Sequence, residues 1–429
     1  MEIRYWEKNK KYQINYLKRR EQEYPLVSII VISYNNQKFL PESVKSVLSQ
    51  EYSNIELIVS DDGTKDFSLE QMKTLLAKEV FFKGKKEVNV NLYQNGELEK
   101  SILDRYENIQ RICFNRNAVN SGTVKHLKYL KSIAKGKYIM FLAADDKLHD
   151  EKVVIDLIDY FETLPEDAYI LTSQCGMYDY TLQNLYYFVL NDDLKQILLS
   201  MDSRRIFEEL TKWCFIPAAG TIYKKKVFDI FGDLDDRYHL IEDWTYFLKL
   251  SRKGARIYFL DRLTYMHRDG GISHGNVNGS NEAWRHYQED SLLLMEQEML
   301  PYLDKVTPKQ AQKIKKKYKN LKREIFIKYE LKEKNRKEKI DFVFSNMTYY
   351  GKRLMELFLG ALDLNAIYIV KAGGGILLAG ILCLNSNVRE IAWLFGAILE
   401  VIGLLSIFTG IVIKLLWKIV RYGRKICGA

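Results

Sequence analysis

The chain has 429 residues, with 65 Lys and Arg against 55 Asp and Glu, a formal net charge of +10. Residues 301–340 hold 15 Lys/Arg and 5 Asp/Glu, so the excess is local and the rest of the chain is balanced. A uniformly basic nucleic-acid-coating protein is excluded, and at 47% hydrophobic and 28% charged the sequence is neither disordered nor wholly embedded in a membrane.

Residues 1–24 are a charged extension without the apolar core of a signal peptide. Residues 25–33, PLVSIIVIS, are nearly continuous in apolar and β-branched residues, which predicts a strand buried on both faces as in a parallel sheet. A helix is predicted over 41–50, with Pro41 in its first turn and Val44, Val47 and Leu48 on one stripe. A second buried strand follows at 54–60, completing a βαβ unit. The alternation continues with a helix within 66–82 and a strand near 109–114. A helix at 121–134, a strand at 137–142, a helix at 151–162 and a strand at 168–174 come next. Residues 84–108 read as a polar insertion, and 241–254 as an amphipathic helix carrying Trp244, Phe247, Leu248 and Leu250.

Residues 282–350 are helical in pattern. Within them Ala311, Ile314, Tyr318, Leu321 and Ile325 recur at spacings of three and four, a narrow apolar stripe on an otherwise lysine-rich helix. Two apolar stretches close the chain, 366–384 interrupted by Lys371 and 391–413 containing Glu400. A membrane span needs about 20 apolar residues, so these predict a transmembrane helical hairpin. The expected organisation is therefore an extension (1–24), an α/β domain (25–280), a basic helical segment (281–350) and a membrane region (351–429).

In open α/β sheets, ligands sit beyond the carboxyl ends of the strands. Four such ends here are polar: Ser33-Tyr34-Asn35-Asn36, Asp61-Asp62-Gly63-Thr64, Asn115-Arg116-Asn117 and Asp145-Asp146. The glycine fingerprints that cradle phosphates are absent from the sequence. Carboxylates at two strand ends point instead to Mg²⁺ or Mn²⁺ bridging carboxylate and phosphate. The cysteines Cys113, Cys175, Cys214, Cys383 and Cys427 have neither metal-ligand nor CxxC spacing, which fits a reducing compartment.

The runs VSIIVISYNN, SVLSQEYSNIELIVSDDGTKD, AKGKYIMFLAADD and IEDWTYFLKL together resemble the family 2 glycosyltransferases, over about residues 25–270. The resemblance implies an inverting enzyme with a GT-A α/β/α sandwich that uses a nucleotide-sugar donor, with a uridine nucleotide as the expected carrier. It implies that Tyr34 and Asn35 line the nucleobase pocket and that Asp62, with Asp61, bonds base and ribose. Asp145 and Asp146 occupy the metal and diphosphate motif, although its first acidic position is Ala143. Glu242-Asp243 matches the family's acidic pair, with Asp243 as general base. Arg268, His267 and His274 fall in a segment resembling a donor-closing loop, where Arg268 is a candidate diphosphate contact. The Gln-x-x-Arg-Trp motif of processive relatives is absent, which implies one sugar per encounter. A degenerate, non-catalytic scaffold is the competing reading, resting on Ala143.

Lys414, Lys418, Arg421, Arg424 and Lys425 follow the second apolar stretch, while the short link between the stretches carries only Arg389. Positive-inside logic places both ends in the cytoplasm at the inner membrane. A tethered transferase suggests a saccharide acceptor on a polyprenyl carrier, within cell-surface polysaccharide synthesis. The basic helix is expected to lie on an anionic membrane surface, and no nucleic-acid partner is expected.

Overall fold

The computed structural model describes residues 24–79, 86–94, 97–106, 109–270 and 281–330, with a few isolated positions beyond. The chain divides into two units, Met1–Lys322 and Arg323–Ala429. Apart from Gly403 and Ile407, both stretches of the expected hairpin lie outside the described residues. Among the described residues no helix is long and apolar enough to cross a membrane. Within the second unit, Arg323 Nε donates to Asn346 Oδ1 at 2.8 Å and Phe326 stacks on Phe342.

The first unit is built on β1 (Val27–Ser33), flanked by β2 (Ile55–Asp61) and β6 (Tyr138–Ala143), both parallel to it. These strands read VSIIVIS, IELIVSD and YIMFLA and are almost wholly buried, as continuous β-branched and aliphatic runs require. Successive side chains serve opposite faces. Ile29 and Val31 pack into one core, while Ile30 packs into the other. The first core is completed by α1 (Leu40–Leu48), α2 (Leu69–Glu79) and α4 (Val153–Phe161). The second is closed by α3 (Thr123–Ile133) and by helices from the later half of the unit. The result is a three-layer α/β/α arrangement with a mixed central sheet.

Among the described residues the sheet has eleven strands, in the order β4-β3-β5-β2-β1-β6-β10-β8-β11-β7, with β9 paired to β8. Here β3 is Lys86–Gln94, β4 Glu97–Tyr106, β5 Ile109–Arg116, β7 Lys147–Leu148 and β8 Ile170–Tyr178. The last three are β9 (Leu185–Phe188), β10 (Ile222–Lys224) and β11 (Ile257–Arg268). β10 runs antiparallel to both β6 and β8, so the later strands depart from an all-parallel sheet.

Residues 84–108 are not a simple insertion. β3 and β4 form an antiparallel hairpin, and β3 adds in parallel to β5. Val88, Val90 and Leu92 alternate with polar residues, a period-two signal masked by the surrounding charge.

Four further helices, α5 (Asp192–Leu199), α6 (Ser203–Leu210), α7 (Val227–Phe231) and α8 (Glu242–Arg252), lie between β9 and β11. After β11 come α9 (Asn281–Leu294), a π-helical turn (Met295–Met299) and α10 (Pro308–Ile325). Up to Lys322, α10 belongs to the first unit, and its apolar stripe has a protein partner. Ile314 is buried in the second core, with Ala311, Tyr318 and Leu321 packed against that core. Gln310 Nε2 donates to Thr211 Oγ1 at 2.9 Å, and the Tyr318 hydroxyl donates to Glu296 at 2.7 Å. The expectation that this stripe rests on a membrane is thereby corrected. Only the lysine face, including Lys309, Lys313, Lys315, Lys316 and Lys319, is exposed.

Candidate active site

The carboxyl ends of β1, β2 and β5 are joined by polar contacts. Tyr34 is 45% exposed at the end of β1. Asn35 follows in the left-handed region, with φ 57°, a conformation that Asn tolerates better than most residues. The Asn35 amide donates to Thr64 Oγ1 at 2.8 Å. The Thr64 amide and hydroxyl each donate to the Asp61 carboxylate at 2.7 Å. Burial raises the Asp61 pKa, and the bonds from Thr64 oppose the shift. Asp61 thus ties the β1 loop to the β2 loop and is fully buried.

Asp62 is likewise turned inward. Its carboxylate accepts from Asn117 Nδ2 at 2.7 Å, Ser121 Oγ at 2.8 Å, and the Ser121 and Gly122 amides at 3.1 Å. The resemblance placed this carboxylate on base and ribose, whereas here it holds the 117–122 loop at the start of α3. Gly63 permits the contact. It has φ +83°, and a Cβ there would lie 2.5 Å from the Val119 carbonyl carbon. Beneath Asp62, Ser60 Oγ lies 2.6 Å from His126 Nε2 and accepts from Asn115 Nδ2 at 2.8 Å. Burial pushes His126 down to about 4, against the opposing charge of Asp62.

The acidic loop after β6 is held by the end of β11. Asp146 is buried, and its two oxygens meet His267 Nδ1 and the Arg268 amide, each at 2.8 Å. Arg268 is also buried. Its guanidinium donates to the Asp145 carbonyl at 2.6 Å, to Glu42 at 2.6 Å and to the Tyr180 carbonyl. It also lies 4.3 Å from the Phe39 ring centroid. Arg268, a candidate diphosphate contact from the sequence, is thus a brace between β11, α1 and the acidic loop.

Asp145 is half-buried, and burial followed by the Asp146 charge lifts it to about 6. A carboxylate held high by burial and a neighbouring like charge is one that a hard divalent cation would relieve. The donor set therefore fits Mn²⁺ or Mg²⁺ with Asp145 as the protein ligand. Among the described residues no group of three or more His, Cys, Asp or Glu side chains could hold a metal ion alone. Donor phosphates and water would complete such a site.

Glu242 and Asp243 form the first turn of α8, where the helix dipole favours acids. Burial, then the Asp243 charge, pushes Glu242 up to about 8, and burial raises Asp243 as well. The pair titrates as a unit. Burial and the Asp243 charge therefore favour one negative charge on the pair over two. Cys214 Sγ lies 3.7 Å from Asp243 Oδ2. His267 interacts electrostatically with Asp243 as well as with Asp145 and Asp146, so the two acidic groups share one neighbourhood. Burial disfavours a charged His267, but Asp146 and Asp145 outweigh it and raise its pKa. Sequence reasoning did not single out Cys214, Ser121 or the Asp146–His267 pairing. Only the Asp61-x-x-Thr64 spacing carried a local signal, that of an Asp-initiated turn.

The mixed α/β sheet, with carboxylates at its strand ends and at one helix start, agrees with the GT-A-like fold that the sequence resemblance implies. The sequence model of the family described as Glycosyl transferase family 2 matches residues 28–94 and 84–231. Residues 28–231 thus match a family 2 glycosyltransferase domain, and the match supports a glycosyltransferase activity. No curated protein matches the sequence.

The solved structures it resembles include TarS from S. aureus, at 15% identity and TM-score 0.39, covering 71% of this chain and 44% of that one. The chain thus spans less than half of the TarS length. A TarS 1-349 structure in complex with UDP-GlcNAc matches at 15% identity and TM-score 0.44, covering 74% and 79% of the two chains. Mannosyltransferase PcManGT from Pyrobaculum calidifontis, in complex with GDP-Man and Mn²⁺, matches at 10% identity and TM-score 0.43, covering 93% of each.

Proposed function

We propose that this protein transfers a single sugar from a nucleotide-sugar donor, with a uridine nucleotide as first choice, to a hydroxyl of a saccharide acceptor with inversion. The observation that carries the reading is the Glu242–Asp243 pair at the start of α8, within electrostatic reach of the Asp146–His267 pair. Asp243 accepts the acceptor hydroxyl proton as the new bond forms, and its raised pKa makes it a better base than a solvated carboxylate. Glu242, held above the ordinary carboxylate range beside Asp243, favours a single negative charge on the pair. Tyr34 and Asn35 line the nucleobase side of the pocket, whose floor is held by Asp61 and Asp62. Asp145 would hold the metal, with Asp146, His267 and Arg268 fixing its loop. The bound cation would supply electrostatic stabilisation to the departing nucleotide diphosphate.

The acceptor is a lipid-linked saccharide, with polyprenyl as the carrier, in cell-surface polysaccharide assembly at the cytoplasmic face of the inner membrane. Support comes from the apolar stretches 366–384 and 391–413, the cations that follow them and the exposed lysines of α10. Those lysines make electrostatic contact with the leaflet, each contributing about 1 kcal/mol. Co-sedimentation of the full chain with anionic vesicles tests this contact: lysine-to-glutamine changes at 313, 316 and 319 weaken it, and equal binding to neutral vesicles refutes it. The function itself is tested by a donor screen that reads nucleotide release with Mn²⁺, Mg²⁺ or EDTA and lipid-linked or soluble acceptors. Metal-dependent transfer to the lipid-linked acceptor is expected. Absence of transfer from every donor favours a non-catalytic scaffold.

A further inference from the structure

We propose that Asp290 is a positioning residue for Asp243: from α9 it clamps the main-chain amides leading into α8 and so fixes how the Asp243 carboxylate enters the cleft. The inference rests on the reading of Asp243 as general base. The helix that carries Asp243 has no side-chain cap of its own, since Ile241 occupies the cap position. Instead, the Asp290 carboxylate accepts from three successive amides: His239 at 2.9 Å, Leu240 at 2.7 Å and Ile241 at 3.1 Å. Three converging N–H groups form a nest that a carboxylate fills well. Asp290 is buried, so these bonds face little competition from water.

Two further contacts show why this clamp sets a direction. On its other side the same tripeptide is gripped by α3, where the Val124 amide donates to the His239 carbonyl at 3.3 Å. Gly122 permits that approach, because a Cβ there would sit 3.1 Å from the His239 oxygen. Eight positions after Asp290, Glu298 accepts from Arg252 Nε at 2.6 Å, at the last residue of α8. Eight residues of helix span about 12 Å and the ten steps of α8 about 15 Å, so one helical run holds both ends of α8. Asp290 holds the end that bears the chemistry, and Glu298 the remote end.

The groups facing the Glu242–Asp243 pair are Cys214 from the α6–β10 loop, Tyr223 from β10, His267 from β11, and Tyr287 with Asp290 from α9. The Asp290 charge contributes to the raised pKa of Glu242, so its removal lowers the pH at which the pair ionises.

The test compares D290A, D290N and E298Q in the full chain, reading kcat, donor KM, the pH profile and the unfolding midpoint. D290A is expected to lose roughly 100-fold in kcat with donor KM within about threefold, as for a misplaced catalytic group. D290N is expected to lose less and to move the acid limb of the profile to lower pH. E298Q is expected to lower the unfolding midpoint while keeping kcat within about threefold. Where D290A does not fold, D290N and its pH profile decide. An unshifted profile with kcat near wild type in D290N overturns the proposal, as does an equal kcat loss in E298Q. Either result with an inactive D243N leaves the base assignment standing. An active D243N removes the assignment itself.

Discussion

Replacing Asp62 separates a structural role from a donor contact. Its carboxylate accepts from Asn117 Nδ2, from Ser121 through both hydroxyl and amide, and from the Gly122 amide, at 2.7–3.1 Å. Asp62→Ala removes every one of these acceptors at once and leaves the Ser121 amide without its partner, while the Gly122 amide keeps Asn120 Oδ1 at 2.9 Å. Each hydrogen bond to a charged group is worth about 1.5–3 kcal/mol, and the contributions are not additive. A loss of about 3–5 kcal/mol is therefore expected, a large share of a domain's usual 5–15 kcal/mol. Asp62→Asn keeps one acceptor oxygen but turns an NH₂ group toward an amide donor, so about 1–3 kcal/mol is expected. Urea unfolding followed by tryptophan fluorescence measures both variants. A double-mutant cycle with Ser121→Ala should show coupling of about 1 kcal/mol or more. If Asp62→Ala unfolds within about 0.5 kcal/mol of wild type while donor KM rises steeply, the inward hub is wrong and the carboxylate serves the ligand directly.

Two further outcomes concern pH and metal. His126 is neutral in the fold, pushed down to about 4, whereas an exposed His takes its proton near 6.5. The unfolded chain thus binds the extra proton, so stability present above pH 6.5 is lost as pH falls toward 4. The loss is on the order of 3 kcal/mol, measurable as a falling unfolding free energy that His126→Gln flattens. Asp145→Asn is expected to reduce transfer by about 100-fold or more and to abolish the difference between Mn²⁺ and EDTA. Asp146→Asn is expected chiefly to lower the unfolding midpoint, because that carboxylate is bonded to His267 and the Arg268 amide. Loss of the metal response in Asp146→Asn but not in Asp145→Asn would reverse the assignment.

The central strands were legible because burial on both faces demands runs such as VSIIVIS, and the observed β1, β2 and β6 follow them closely. The β3–β4 hairpin was not legible: its alternating Val88, Val90 and Leu92 are diluted by Lys, Glu and Asn. The strand-end rule located Tyr34, Asp61, Asp62, Asp145 and Asp146, yet it could not tell which way each side chain turns. Asp62 and Arg268 are turned inward by donors and acceptors from distant segments, such as Ser121 and Tyr180. Asp290 left no local signature, because it acts on amides some 50 residues earlier in the chain. The stripe on α10 was read correctly as amphipathic, but periodicity does not say whether protein or membrane covers an apolar face.

The most direct test of the account is the transfer rate of Asp243→Asn at saturating donor and acceptor, measured on protein whose unfolding midpoint matches wild type. A general base contributes about 10²–10⁴-fold, so a fall of that size in kcat with little change in donor KM is the predicted result. A rate within about threefold of wild type would contradict Asp243 as the base and, with it, the account of the site.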